Sequence, residues 1–208
     1  MNPVWDLVAE TYYQRLDKLV VFGDGADFVA TNYGDGTSYG VDLVLNRRFS
    51  NGFSGNATYS YNVSRRDDGD GTGEYDADFH RPHVFIAGIQ WQISDRWKVG
   101  GRWKYLAGRP EDSFVIHANV LGNGAPMRYS KETTGHNRRR RDGLSLINVR
   151  VDNRRSFGPV DAIAFADLVN VSAANASEEA EFNISRGTVV EDGGELQPLL
   201  GVRFERSW

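Results

Sequence analysis

Apolar and polar residues alternate with a period of two in several runs, and the connections between those runs are alternately short and long. No other feature constrains this chain as much. In SYGVDLVLNRRF, Tyr39, Val41, Leu43, Leu45 and Phe49 share one parity, and Gly40, Asp42, Asn46 and Arg48 the other. Beyond Ser50-Asn51-Gly52, Phe53, Ala57, Tyr59, Tyr61 and Val63 oppose Ser54, Asn56, Thr58, Ser60, Asn62 and Ser64. Successive side chains of a strand point to opposite faces, so each run is a strand with one apolar and one polar face. Asn-Gly supplies the positive φ of a tight hairpin turn.

A second hairpin follows the same rule. Phe85, Ala87, Ile89, Trp91 and Ile93 alternate with Gly88, Gln90 and Gln92. After Ser94-Asp95-Arg96, Trp97, Val99, Trp103 and Tyr105 alternate with Lys98, Arg102 and Lys104. A third pair, LSLINVRVDNRRSF and GPVDAIAFADLVNVS, turns between Arg154 and Pro159. An opening strand in WDLVAETYYQRLDKLVVF and a closing one in PLLGVRFERSW bring the expectation to about eight strands of the length found in tilted barrels.

The short connections contrast with long polar ones: FGDGADFVATNYGDGT, SRRDDGDGTGEYDADFHRP, the stretch 108–142 and the stretch 172–197. Long polar loops are uncommon inside compact domains. Here they all fall at one end of the sheet, with the short turns at the other, as in outer-membrane barrels. Aromatic residues near both ends of the apolar rows (Tyr39 and Phe49, Phe53 and Tyr61, Trp97 and Tyr105) match interfacial girdles. The expected fold is therefore all-β: an antiparallel up-and-down transmembrane β-barrel segment. A soluble β-barrel that binds a small ligand inside is the alternative allowed by alternation alone.

Composition removes other classes. No apolar run reaches the roughly 18 residues of a membrane-spanning helix. A net charge of −4 argues against a general nucleic-acid binder. With no cysteine, disulfides and thiolate metal sites are excluded. No residue pattern calls for a catalytic centre, a cofactor or a metal.

DFHRPHVFIAG, WKVGGRWKYLAGRP, LINVRVDNRRSF, FADLVNV, PLLGVRFERSW and YYQRLDKLVVF resemble the last third of TonB-dependent outer-membrane transporters. The likeness is strongest over 37–110 and 144–208. It implies a barrel of about 22 strands with a plugged lumen. Residues 1–208 are then expected to be its C-terminal portion, with the plug domain and the N-terminal strands outside this sequence. The implied location is the cell outer membrane. The implied partners are membrane lipid, the barrel-insertion machinery, the energy-coupling TonB protein through the plug, and a scarce solute such as an iron–siderophore. In this family the closing strand ends on an aromatic residue read during insertion. Leu200, Val202, Phe204 and Trp208 fit that signal, whereas Arg206 stands where an apolar residue is usual. A self-contained eight-stranded outer-membrane protein, structural or adhesive, is the other membrane reading.

Candidate contacts follow from placement. Arg138, Arg139, Arg140 and Arg141 end the longest loop, where guanidiniums suit an anionic ligand, a phosphorylated lipid headgroup or a solvated rim. His80 and Arg81 lie where a strand re-enters the barrel and are candidate ligand contacts. His80 and His83 differ by three positions and do not share a strand face, which argues against a joint metal site. The polar parity, Asp42, Asn46, Arg48, Asn56, Asn62, Arg102 and Lys104, is expected to face the lumen. The run 66–74 is oxygen-rich and glycine-bent, but counting from Asp68 puts Phe79 at the twelfth position. The helix-loop-helix calcium pattern therefore fails, and an acidic external loop is the reading, with calcium binding as the alternative. Asn-x-Ser/Thr triplets such as Asn56-Ala57-Thr58 supply the polar face and are not read as glycosylation sites.

Overall fold

The computed structural model describes residues 4–22, 30–119, 128–175, 180–191 and 193–206. Eight strands form its main sheet: β1 (Trp5–Phe22), β2 (Ala30–Ser50), β3 (Phe53–Asp67), β5 (His83–Gln92), β6 (Trp97–Leu106), β9 (Leu144–Phe157), β10 (Val160–Val169) and β13 (Gln197–Arg206). They lie side by side in chain order and pair antiparallel throughout, an up-and-down sheet with β1 and β13 at its edges. Among the described residues no helix occurs. The short β4 (Tyr75–Asp76) pairs with β3. Two further hairpins stand apart: β7 (Pro110–Asn119) with β8 (Arg128–Arg140), and β11 (Ala180–Asn183) with β12 (Thr188–Glu191).

Three tight turns close one end. Asn51 and Gly52 both have positive φ (52° and 75°), as a two-residue primed turn requires. In the next turn the Ser94 hydroxyl accepts from the Trp97 amide at 3.2 Å, and the Ile93 amide donates to the Trp97 carbonyl at 3.0 Å. The third turn is Gly158-Pro159, with Gly158 at φ 60°.

The register carries each parity across the whole sheet. Phe53, Trp91, Val99, Val151, Ala166 and Leu200 form one lateral row. Asp6, Asn46, Asn56, Gly88, Arg102 and Asn148 form another on the opposite face. Among the described residues nothing packs on the apolar face: Leu43, Ile89, Trp91, Trp103, Ile147, Val202 and Phe204 are all exposed. The only buried apolar residues among those described are Ala107 and Ile163, and Ile163 has the other parity. A water-soluble sheet hides this face in a core; here it is bare.

Two expectations about boundaries change. Residues 30–37, read as loop, belong to β2, so β1 and β2 reach 18 and 21 residues. Their pairing slips between Leu16 and Leu19 and between Leu19 and Val21, with Lys18 at φ 58°. A Cβ at Gly34 would stand 2.9 Å from Val21 Cγ2 and 3.1 Å from Leu19 Cβ, so glycine accommodates this bulge rather than ending the strand. The long connections 108–142 and 172–197 are also more than loops, since they contain the β7–β8 and β11–β12 hairpins.

Candidate functional site: a polar face and an outer clamp

Asp42, Asn46, Asn56, Asn62, Arg102 and Lys104 share the polar face by register. Arg48 has the same parity but lies past the last in-register pair, Arg47 with Gly55, and is exposed. Charge on this face is mixed: Asp6, Glu10 and Asp42 cluster on β1 and β2, and Lys98, Arg102, Lys104 and Arg150 lie on β6 and β9, where Asp152 and Asp167 stand 2.9 and 3.6 Å from Arg150. Between them Asn56, Gly88, Gln90, Gly100, Arg102 and Asn148 help line a shallow trough of about 620 Å³. A Cβ at Gly88 would sit 2.9 Å from Asn56 Oδ1, so the missing side chain lets that amide lie over β5.

Asn62 is tied at both ends. Its Nδ2 donates to Tyr12 Oη at 2.5 Å, and its carbonyl is 3.0 Å from His80 Nε2. Tyr12 reaches Asn62 across Gly40, where a Cβ would meet the phenol oxygen at 2.6 Å and the Tyr61 carbonyl at 2.3 Å.

The predicted ligand contacts divide in two. His80 is buried, 6% exposed, with Nδ1 3.3 Å from Asp76 Oδ1. Arg140 spans the same place: it pairs with Asp76, donates to the His80 carbonyl at 3.1 Å and to the Gly108 carbonyl at 2.7 Å. Arg81 donates to the Ala107 carbonyl at 2.8 Å. Arg141 and Arg139 lie 3.9 and 3.7 Å from the Glu111 carboxylate. Arg139 also lies 5.7 Å from the Phe114 ring. Arg138 is exposed, its stem against Gly135. The four guanidiniums therefore have different surroundings and do not form one array.

Residues outside the predicted contacts bind the β3–β5 connection to the β7–β8 hairpin. Asn137, at φ 51°, donates from Nδ2 to Asp78 Oδ1 at 2.7 Å and to the Asp76 carbonyl at 2.9 Å. Its amide donates to Asp112 Oδ1 at 3.0 Å. His136 sits between Asp78 and Asp112, 3.2 and 2.9 Å away, with its ring edge-on to Tyr75 at 4.9 Å. Left-handed φ favours asparagine among non-glycine residues, so an Asn heading an arginine run was the available signal.

Below this clamp the acidic loop satisfies its own carboxylates. Asp67 accepts from the Gly69 amide at 2.8 Å, and Asp68 accepts from Arg66 Nε and Tyr75 Oη, both at 2.7 Å. Asp70 accepts from the Thr72 hydroxyl at 2.6 Å and amide at 2.8 Å; those two bonds hold its carboxyl below the ordinary range. Burial, then the hydrogen bond and charge of Asp68, push the Tyr75 phenol well above its ordinary 10.0. Among the described residues no group of three or more His, Asp or Glu is arranged to hold a metal ion.

Of the predicted insertion signal, Leu200, Val202 and Phe204 lie on the apolar face, opposite Ala166, Ala164 and Ala162, and are strongly exposed. Trp208 lies outside the described residues.

A bare apolar sheet face, a polar face opposite, short turns at one end and ordered loops at the other define the wall of an outer-membrane-type β-barrel. The family model for the TonB dependent receptor-like β-barrel matches residues 2–176, and the chain belongs to that family of outer-membrane transporters. No curated protein and no solved structure gives a significant match.

Proposed function

We propose that this chain is part of the barrel wall of a transporter that imports a scarce, bulky solute such as a ferric siderophore across the outer membrane. One observation carries the membrane half of this reading: the height of the uncharged band on the apolar face. From Thr37 up to Arg47 on β2, and from Ser145 up to Arg155 on β9, every residue of that parity short of the closing arginine is uncharged. Ten residues at roughly 3.3 Å give about 33 Å along the strand. A tilt of about 40° reduces this to about 25 Å, the apolar height of a bacterial barrel.

The polar face then lines the lumen, with Asp42, Asn46, Arg48, Asn56, Asn62, Arg102 and Lys104 offering contacts to a passing solute. Arg138 and Arg139 are the best-presented of the outer arginines for capture, while Arg140, Arg141, His80 and Arg81 brace the loops that present them. The open β1 and β13 edges favour a barrel completed by further strands over eight strands closing on themselves. A plug coupled to TonB supplies the energy step, β13 closes the barrel, and the insertion machinery reads Leu200, Val202, Phe204 and Trp208.

The test is uptake of a panel of radiolabelled ferric siderophores by iron-starved cells with and without the intact gene. Loss of accumulation of one chelate on deletion, restored by the wild-type gene, is the expected result. Unchanged uptake of every ferric chelate would reject iron as the cargo.

A further inference from the structure

Two histidines belong to the outer clamp, and their partners ask opposite things of them. His80 is buried, with Nε2 3.0 Å from the Asn62 carbonyl and Nδ1 3.2 Å from Arg140 Nη2. A carbonyl only accepts and a guanidinium only donates, so Nε2 carries the proton and Nδ1 keeps its lone pair. One ring proton satisfies both contacts.

His136 on β8 is half-exposed and faces carboxylate oxygen from both ring nitrogens. Nδ1 lies 2.9 Å from Asp112 Oδ1 on β7, and Nε2 lies 3.2 Å from Asp78 Oδ1 in the β3–β5 connection. The amide Nδ2 of Asn137 is also 3.2 Å from Nε2, but its two hydrogens are taken by Asp78 Oδ1 at 2.7 Å and the Asp76 carbonyl at 2.9 Å. Both contacts of His136 are therefore complete only when both nitrogens carry a proton. The groups around it hold their charge. Asp76 is paired with Arg140, and Glu111 on β7 lies beside Arg139. Tyr75, edge-on to the imidazole, is kept neutral by burial and by Asp68.

We propose that His136 is a proton-operated staple between the β3–β5 connection and the β7–β8 hairpin. Doubly protonated, it donates to Asp78 and Asp112 together. When one proton leaves to solvent, a lone pair faces one of those carboxylates and that half of the staple is lost. The sign follows: the clamp is tighter in acid and slacker in base. Histidine is the side chain whose ordinary charge change falls between about pH 5 and 8, and ordinary carboxylates stay ionised over that range. The hairpin so held carries Arg138 and Arg139, so acidity sets how firmly those cations are presented at the loop end. The inference rests on the clamp and is independent of the cargo proposed above.

The test is amide hydrogen exchange of the intact protein in membranes at about pH 5.5 and about pH 8, each rate divided by the intrinsic rate at that pH. Protection across Pro110–Asn119 and Arg128–Arg140 should be about two- to fivefold greater at the lower pH, the size expected of half-exposed ion pairs, with β5 and β6 unchanged. His136→Gln takes up no proton and should abolish the difference. His117→Gln, which removes the hairpin's other histidine and its 2.7 Å contact to Glu132, should leave it intact. Equal protection at the two pH values in the wild-type protein, a comparison that needs no variant to fold, would overturn the staple. So would a difference that survives His136→Gln, or one that disappears with His117→Gln.

Discussion

Gly40 and Tyr12 form a tight residue-scale fit on the polar face, because the phenol crosses β2 where no Cβ stands. Gly40→Val should displace Tyr12, break its bond to Asn62 and cost about 1–3 kcal/mol through overpacking. Urea unfolding followed by gel mobility checks this; an unchanged midpoint would mean that Tyr12 rests elsewhere. Tyr75 gives a pH prediction. Its phenol is raised by burial and by Asp68, so its contribution to loop stability is fully present below the ordinary value of 10.0 and is lost as pH climbs above it. In a phenolate absorption titration, the difference between wild type and Tyr75→Phe should appear only well above pH 10. These contacts were not legible in the sequence, since Gly40 and Tyr12 sit 28 positions apart and only the register brings them together.

At the scale of elements, the 39–63 hairpin was legible because both arms alternate apolar residues on one parity with polar ones on the other, with Asn-Gly between them. The start of β2 was not, because Asn32-Tyr33-Gly34-Asp35-Gly36 has the composition of a turn while its glycines accommodate a bulge in β1. The β7–β8 hairpin was hidden for another reason. Strands such as RYSKETTGHNRRR are polar on both faces, so no period of two marks them. What holds that hairpin is the clamp. Asn137→Ala removes two side-chain bonds and disfavours the left-handed backbone, so it should cost the loop about 1–3 kcal/mol. Amide exchange across 110–140 should then accelerate while exchange in β5 and β6 stays unchanged. Equal acceleration in both regions would show that the clamp supports the sheet rather than the loops.

For the whole molecule, the decisive property is which face meets hydrocarbon. Composition pointed the other way, since 25% charged residues read as soluble until they are sorted by parity. The sorting places a charge in mid-band at sharply different costs on the two faces. Leu43→Arg should destabilise the inserted barrel by about 2–4 kcal/mol, whereas Asp42→Arg, one residue away on the polar face, should be tolerated. The fraction that resists heat unfolding in membranes reports both. The most direct measurement is a single-cysteine scan of positions 39–46 in intact outer membranes, read with a lipid-soluble and a membrane-impermeant reagent. Labelling should alternate with period two: the lipid-soluble reagent at 39, 41, 43 and 45, the aqueous one at 42, 44 and 46, with Gly40 left unsubstituted because Tyr12 covers it. Aqueous labelling of the odd positions, or protection of them from both reagents as in a packed core, would contradict it.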